Sequence, residues 1–149
     1  MSIPVVDLNQ FRSDNSARKG HFVADLGKAY EEVGFVAVKN HGITDELITD
    51  LYKYVQQFFS LPLEQKRKYE IPGMAGQRGY TSFGTEHAKG SEAPDLKEFF
   101  QYGQVSDTTA DGITYAPNVL VEQLETFNST FDRAFAAFEH SGTNLLRAI

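Results

Sequence analysis

Val33-Gly34-Phe35-Val36-Ala37-Val38-Lys39-Asn40-His41-Gly42-Ile43 is the stretch on which the fold turns. A glycine closes a helical pattern, four apolar residues follow it, and an Asn-His-Gly turn comes next. Helix, strand and tight turn therefore succeed one another within a few residues. Upstream, Phe22, Leu26, Ala29, Tyr30 and Val33 share one helical face and predict a helix over residues 18–33. Ser16 is its expected N-cap, and Gly34 occupies the left-handed position that ends it. Phe35-Val36-Ala37-Val38 then predicts a short buried strand. Residues 3–8, which include Pro4, Val5 and Val6, predict another, with Pro4 at a sheet edge or strand start. Downstream, Thr44 is placed to cap a second helix whose first turn carries Asp45 and Glu46, the charge that the helix dipole favours. Its stripe runs through Leu47, Ile48, Leu51, Val55, Phe58 and Phe59 and stops before Pro62.

A short polar helix is expected over residues 63–69. From residue 70 to 97 the texture changes: Gly73, Gly76, Gly79, Gly84 and Gly90 with Pro72 and Pro94 leave no periodicity. Long structureless stretches inside a small domain tend to be functional, so this is the expected substrate-side loop. Residues 97–102 predict a strand and residues 104–118 a polar loop. From Pro117 to Ile149 the spacing of Leu120, Leu124, Phe127, Phe131, Ala134, Phe135, Phe138, Leu145 and Leu146 predicts a long helix, able to bend at Ser141-Gly142. The expected class is α+β, with helices packed on a small sheet and a long C-terminal helix over residues 117–149. That helical pattern reaches the last residue without a Gly or Asn stop, as an element cut short would.

The whole chain has 149 residues, the size of one domain, and its 12 Phe and 7 Tyr are enough for a core. A net charge of −6 lacks the basic footprint of a nucleic-acid binder. With no cysteine, disulfides, zinc-thiolate centres and a thiol nucleophile are excluded. No apolar run is long enough to span a membrane and no leader pattern opens the chain, so a soluble, cytoplasmic protein is expected.

Histidine is the first place to look for metal or acid-base chemistry. The residues two positions after His21, His41, His87 and His140 are Val23, Ile43, Lys89 and Gly142, so no histidine is spaced from a carboxylate as in a two-His-one-carboxylate iron site. The His-x-x-x-His pair, phosphate-cradling glycine motifs and a nucleophile elbow are also missing. Lys66-Arg67-Lys68 reads as a solvated helix face. His41 reads as a turn residue whose ring bonds nearby backbone. Arg78, Tyr80 and Thr81 could grip a carboxylate, since Arg offers a bidentate fork and the hydroxyls complete it. The residues alone indicate a small-molecule contact loop on an α+β domain.

A wider pattern goes further. Ile3-Pro4-Val5-Val6-Asp7-Leu8, Gly34-Phe35, Asn40-His41-Gly42-Ile43, Leu61-Pro62 with Lys66, Gly79-Tyr80, Leu96-Lys97-Glu98-Phe99-Phe100 and Pro117-Asn118 occur in that order. Together they resemble the N-terminal domain of the isopenicillin N synthase-like family of iron(II)/2-oxoglutarate-dependent oxygenases. The resemblance covers residues 1–149. It implies oxidation of a small organic substrate in the full-length enzyme, with Fe(II) and 2-oxoglutarate held in a C-terminal jelly-roll (double-stranded β-helix) half that is absent here. The His-x-Asp, distal His and Arg-x-Ser that serve these cofactors in the family have no counterparts in this sequence, so no catalytic, metal or cofactor residue is assigned. The resemblance makes Gln77, Tyr80 and Thr81 candidate substrate contacts, to which the chemistry of Arg78 adds a fourth substrate-binding candidate, and it gives Asn40, His41, Gly42, Glu98 and Phe99 structural roles. Thr81 stands where some members carry a second Tyr, which argues against a penicillin-type substrate.

The leading expectation is the N-terminal scaffold and substrate-lid part of such an oxygenase, inactive in isolation. The alternatives are a stand-alone small-carboxylate binding module anchored by Arg78, and an interaction domain that forms a homodimer through an exposed C-terminal helix.

Overall fold

The structure, a computed structural model, describes residues 2–74, 76–87, 89–90, 93–104 and 115–149. Its elements are β1 (Val5–Asp7), α1 (Leu8–Arg12), α2 (Ser16–Glu32), β2 (Ala37–Lys39), α3 (Asp45–Phe59), α4 (Leu63–Lys66) continued by a 3-10 turn (Arg67–Tyr69), β3 (Gly79–Thr81), β4 (Phe99–Gln101) and α5 (Glu125–Leu146). The α+β class holds. The strands form two separate pairs, β1 parallel to β2 and β3 antiparallel to β4, where one small sheet was expected. The chain divides into two compact units, one of Met1–Asp45 with Ala136–Ile149, the other Glu46–Phe135.

In the first unit Val6, Leu8, Phe22, Leu26 and Ala148 form the buried centre, with Phe11, Val36, Val38 and Leu145 packed against it. Val6 pairs with Val38 in the β1–β2 register, so both strands turn one apolar residue inward. Leu8 opens a helix that the sequence reading missed: Asp7 ends β1 and at once caps α1, its Oδ1 accepting from Asn9 N at 3.0 Å. The cap of α2 is Asn15, not Ser16, because the Asn15 side chain accepts from Arg18 N at 3.1 Å. Gly34, at φ 78°, takes the left-handed position expected of it. The strand expected to be buried is not: β2 starts at Ala37, and Phe35 is 70% exposed.

In the second unit Phe58 is fully buried, with the rings of Tyr69, Tyr80, Phe100 and Phe127 at centroid distances of 4.8–5.9 Å. Edge-on and tilted contacts of this kind favour both packing and the ring quadrupoles. β3 lies inside the stretch expected to be structureless. Its first residue must be glycine: at Gly79, φ 74°, a Cβ would collide with the Tyr69 carbonyl oxygen and lie 2.9 Å from Val119 Cγ2. The long helix begins at Glu125, eight residues later than expected from Pro117. Asn128 explains the delay, since its Oδ1 accepts from Val121 N at 2.9 Å and its Nδ2 donates to Val121 O at 3.3 Å. That clasp satisfies the Val121 backbone outside any helix. Asn118 does the same for Gly103, accepting from its N–H at 2.8 Å and donating to its carbonyl at 2.9 Å. α5 passes through Ser141 and Gly142 without interruption. Phe138, Leu146 and Ile149 are 56%, 75% and 81% exposed. Among the described residues, no helix is long and apolar enough to cross a membrane.

Candidate functional site

The candidate residues lie in two places, a turn in the first unit and the β3–β4 pair with its flanks in the second. At Asn40-His41-Gly42 the backbone has positive φ at Asn40 (56°) and Gly42 (90°). Side chains fix the turn from three directions. Asn40 Nδ2 donates to Asp7 Oδ1 at 2.8 Å, Ile43 N donates to His41 Nδ1 at 3.1 Å, and Arg12 donates to the carbonyls of Asn40 and His41 at 3.2 and 3.4 Å. The Asn40 amide, with Asn9 N–H and the Lys39 ammonium helping, holds the Asp7 carboxyl below its ordinary range. His41 thus spends its Nδ1 lone pair on the backbone, and the turn reads as a joint.

The second group stands on β3 and β4. Phe99 lies opposite Thr81, and Phe100 opposite Tyr80. Glu98, just before β4, receives two buried donors: Lys66 Nζ reaches its carboxylate oxygens at 2.7 and 3.0 Å, and the Tyr80 hydroxyl donates to Oε2. Lys66 Nζ also donates to Phe59 O at 3.2 Å. Lys66 is only 6% exposed, which corrects the reading of 66–68 as a solvated face. Arg67 and Lys68 are exposed as expected, but the helical turn brings Lys66 inward. Burial, followed by the Glu98 hydrogen bond and charge, pushes the Tyr80 phenol well above its ordinary value. Tyr102 is raised in the same way, by burial and by donation to Asp132.

Tyr80 and Thr81, both buried, form part of the wall of a cavity of about 310 Å³ that Glu70, Arg78, Ser82 and Thr85 also line. Three of the four substrate-contact candidates therefore border one cavity, while Gln77 is exposed and not among its lining residues. The Arg78 guanidinium donates to Ala116 O at 3.1 Å and to Gln77 O at 2.7 Å, and it lies across Gly103, where a Cβ would reach 2.5 Å from its Nη2. Sequence reasoning overlooked the partnership of Lys66 with Glu98. Glu70, Ser82 and Thr85 were missed as well, lying in a stretch read only for its glycines.

Among the described residues no three His, Cys, Asp or Glu side chains are grouped to hold a metal ion. His21 and His140 are exposed on α2 and α5, His41 is engaged as above, and exposed His87 forms an isolated bridge with Pro94. The donor sets among the described residues do not fit a ferrous ion.

Residues 3–123 match the family described as non-haem dioxygenase in morphine synthesis N-terminal. A 1-aminocyclopropane-1-carboxylate oxidase of Dictyostelium mucoroides is 30% identical over 155 residues, covering 99% of this chain and 41% of that protein. The proline hydroxylase buaE of Petromyces alliaceus is 35% identical over 112 residues, covering 72% of this chain and 35% of that one. A 2OG-Fe(II) oxygenase family protein of Caulobacter crescentus superposes with a TM-score of 0.78 at 27% identity, over 99% of this chain and 47% of that one. A full-length Neurospora crassa protein, solved in complex with alpha-KG, shares the fold at a TM-score of 0.80 and 24% identity, over 99% and 46%. The chain spans less than half the length of these relatives.

Proposed function

From its membership of the non-haem dioxygenase N-terminal family, to which the match over residues 3–123 shows that this chain belongs, we propose that residues 1–149 are the N-terminal scaffold and substrate-side part of an iron(II)/2-oxoglutarate-dependent oxygenase acting on a small organic substrate. The carrying observation is that almost the entire chain corresponds to under half of such oxygenases. In this reading iron and 2-oxoglutarate are held by polypeptide outside these residues. The chain's own contribution is the wall formed by Tyr80 and Thr81, held in place from behind by Glu98 and Lys66. The Tyr80 ring packs against Phe58, and its hydroxyl proton is committed to Glu98. Polar contact with substrate then falls to the hydroxyls of Thr81, Ser82 and Thr85.

The test is iron titration and succinate formation from 2-oxoglutarate, first with residues 1–149 alone and then with the protein continued into its catalytic half. Turnover in the second alone is expected. Stoichiometric iron and 2-oxoglutarate consumption by residues 1–149 alone would overturn the proposal. A stand-alone carboxylate module gains no support, since its anchor, Arg78, already donates to two backbone carbonyls.

A further inference from the structure

The cavity beside β3 is rich in acceptors and poor in donors. Glu70, which follows the 3-10 turn, borders it, and among the described residues its carboxylate makes no hydrogen bond or ion pair. Arg78 borders the cavity too, but its guanidinium is engaged elsewhere: Nε donates to Ala116 O, Nη1 donates to Gln77 O, and the head lies against Gly103. None of Gln77, Gly103 and Ala116 lines the cavity, so Arg78 turns its charge away from it.

The hydroxyls add to the acceptors. Thr85 Oγ1 donates to Ser82 O at 2.8 Å, which commits its only proton and leaves its lone pairs. Ser82 Oγ lies 3.4 Å from that same oxygen. Thr81 is 5% exposed, and its hydroxyl makes no hydrogen bond among the described residues, a state that buried polar groups rarely keep without a partner from outside the chain. Space for that hydroxyl depends on Gly76, where a Cβ would stand 3.0 Å from Thr81 Oγ1.

We propose that Glu70 selects the substrate by receiving the ammonium group of a small primary amine, whose remaining N–H bonds go to the oxygens of Thr81 and Thr85. An ammonium brings three donors and no acceptor, which is what this lining lacks. Its bond to a carboxylate is charge-assisted and about twice as strong as a neutral one. A carboxylate ligand would instead meet Glu70 as a like charge, with Arg78 held on backbone carbonyls. Ile71 and Pro72 give the wall an apolar part, and about 310 Å³ suits a short aliphatic body. This names the substrate class for the function proposed above and rests on that function.

The probe is n-butylammonium, titrated into residues 1–149 at neutral pH while the amide resonances of Thr81, Ser82 and Thr85 are followed by NMR. Saturable shifts at these amides are expected, with neutral n-butanol binding at least about tenfold more weakly and butyrate producing none. Glu70→Gln should abolish the preference for the amine. Glu31→Gln, which removes the same charge from an exposed site on α2, should keep it. Comparing the three probes on the parent needs no variant. Equal affinity for amine and alcohol, shifts with butyrate as large as with the amine, or a preference that survives Glu70→Gln or falls equally in Glu31→Gln would each overturn the assignment. Succinate formation by the protein continued into its catalytic half reports separately on the proposed function. Turnover together with a cavity blind to the amine would remove the role of Glu70 and leave that function standing. An amine-selective cavity in a protein without turnover would support Glu70 and overturn that function.

Discussion

Lys66 and Glu98, 32 residues apart in sequence, meet as a buried ion pair at 2.7 Å with side chains 8% and 16% exposed. The pair joins the end of α4 to the start of β4, and Tyr80 enters the same carboxylate from β3. Breaking one side of such a pair leaves a charge in a poorly solvated place, commonly at a loss of about 3–5 kcal/mol. Lys66→Ala should therefore lower unfolding free energy by about that much in urea titrations. Lys66→Met combined with Glu98→Leu should recover part of it, although the Tyr80 hydroxyl then lacks an acceptor. A loss no larger than that of an exposed lysine would show that the pair is not made in solution.

The raised phenols give a pH signature. Tyr80 and Tyr102 ionise above the ordinary tyrosine value of 10.0 because burial and a carboxylate acceptor favour the neutral form. A group whose native pKa lies above its unfolded one lends stability in full below the unfolded value, and loses it as pH climbs through the native value. Stability should decline above about pH 10. Tyr80→Phe should shrink that decline, and phenolate absorbance difference titrations of native protein should lose only a late-ionising component.

The joint at Asn40 separates backbone from side-chain effects. Asn40→Ala forces an alanine to φ 56°, at a cost of about 1–2 kcal/mol, whereas Asn40→Gly visits that region freely and should lose less. Both substitutions remove the main cause of the low Asp7 pKa, so NMR titration should show that carboxyl moving back up toward 3.8. Stability from a depressed carboxyl exists above its unfolded pKa and fades as pH falls through the native one. The acid-side fading should be smaller in Asn40→Gly than in the parent.

Two glycines with similar φ should respond differently. Gly34→Ala meets nothing within 4 Å and carries only the strain of φ 78°, about 1–2 kcal/mol. Gly79→Ala adds a collision with the Tyr69 carbonyl and with Val119, both fixed around Phe58, and should abolish cooperative thermal unfolding. Similar melting midpoints for the two variants would contradict the packing around β3.

Local patterns are legible where local forces decide. The face of α2, the glycine after it and the positive φ at Asn40 and Gly42 follow from side-chain periodicity and steric freedom within a few residues. Legibility fails where a distant partner decides. Lys66 looks solvated beside Arg67 and Lys68 because its acceptor is far along the chain. β3 looks like loop because its pairing with β4 is non-local. Leu120 and Leu124 keep helical spacing with the residues that follow, yet the Asn128 side chain holds Val121 outside the helix. At the candidate site, Tyr80 and Thr81 come from side-chain chemistry and again from the family resemblance, while the support behind them from Lys66 and Glu98 emerges only in three dimensions.

The reciprocal bonds of Asn118 to the Gly103 backbone hold the two ends of the intervening stretch to a fixed span. Asn118→Ala would leave the N–H and carbonyl of Gly103 without these partners, so exchange of the Gly103 amide should quicken while the aromatic cluster around Phe58 stays in place.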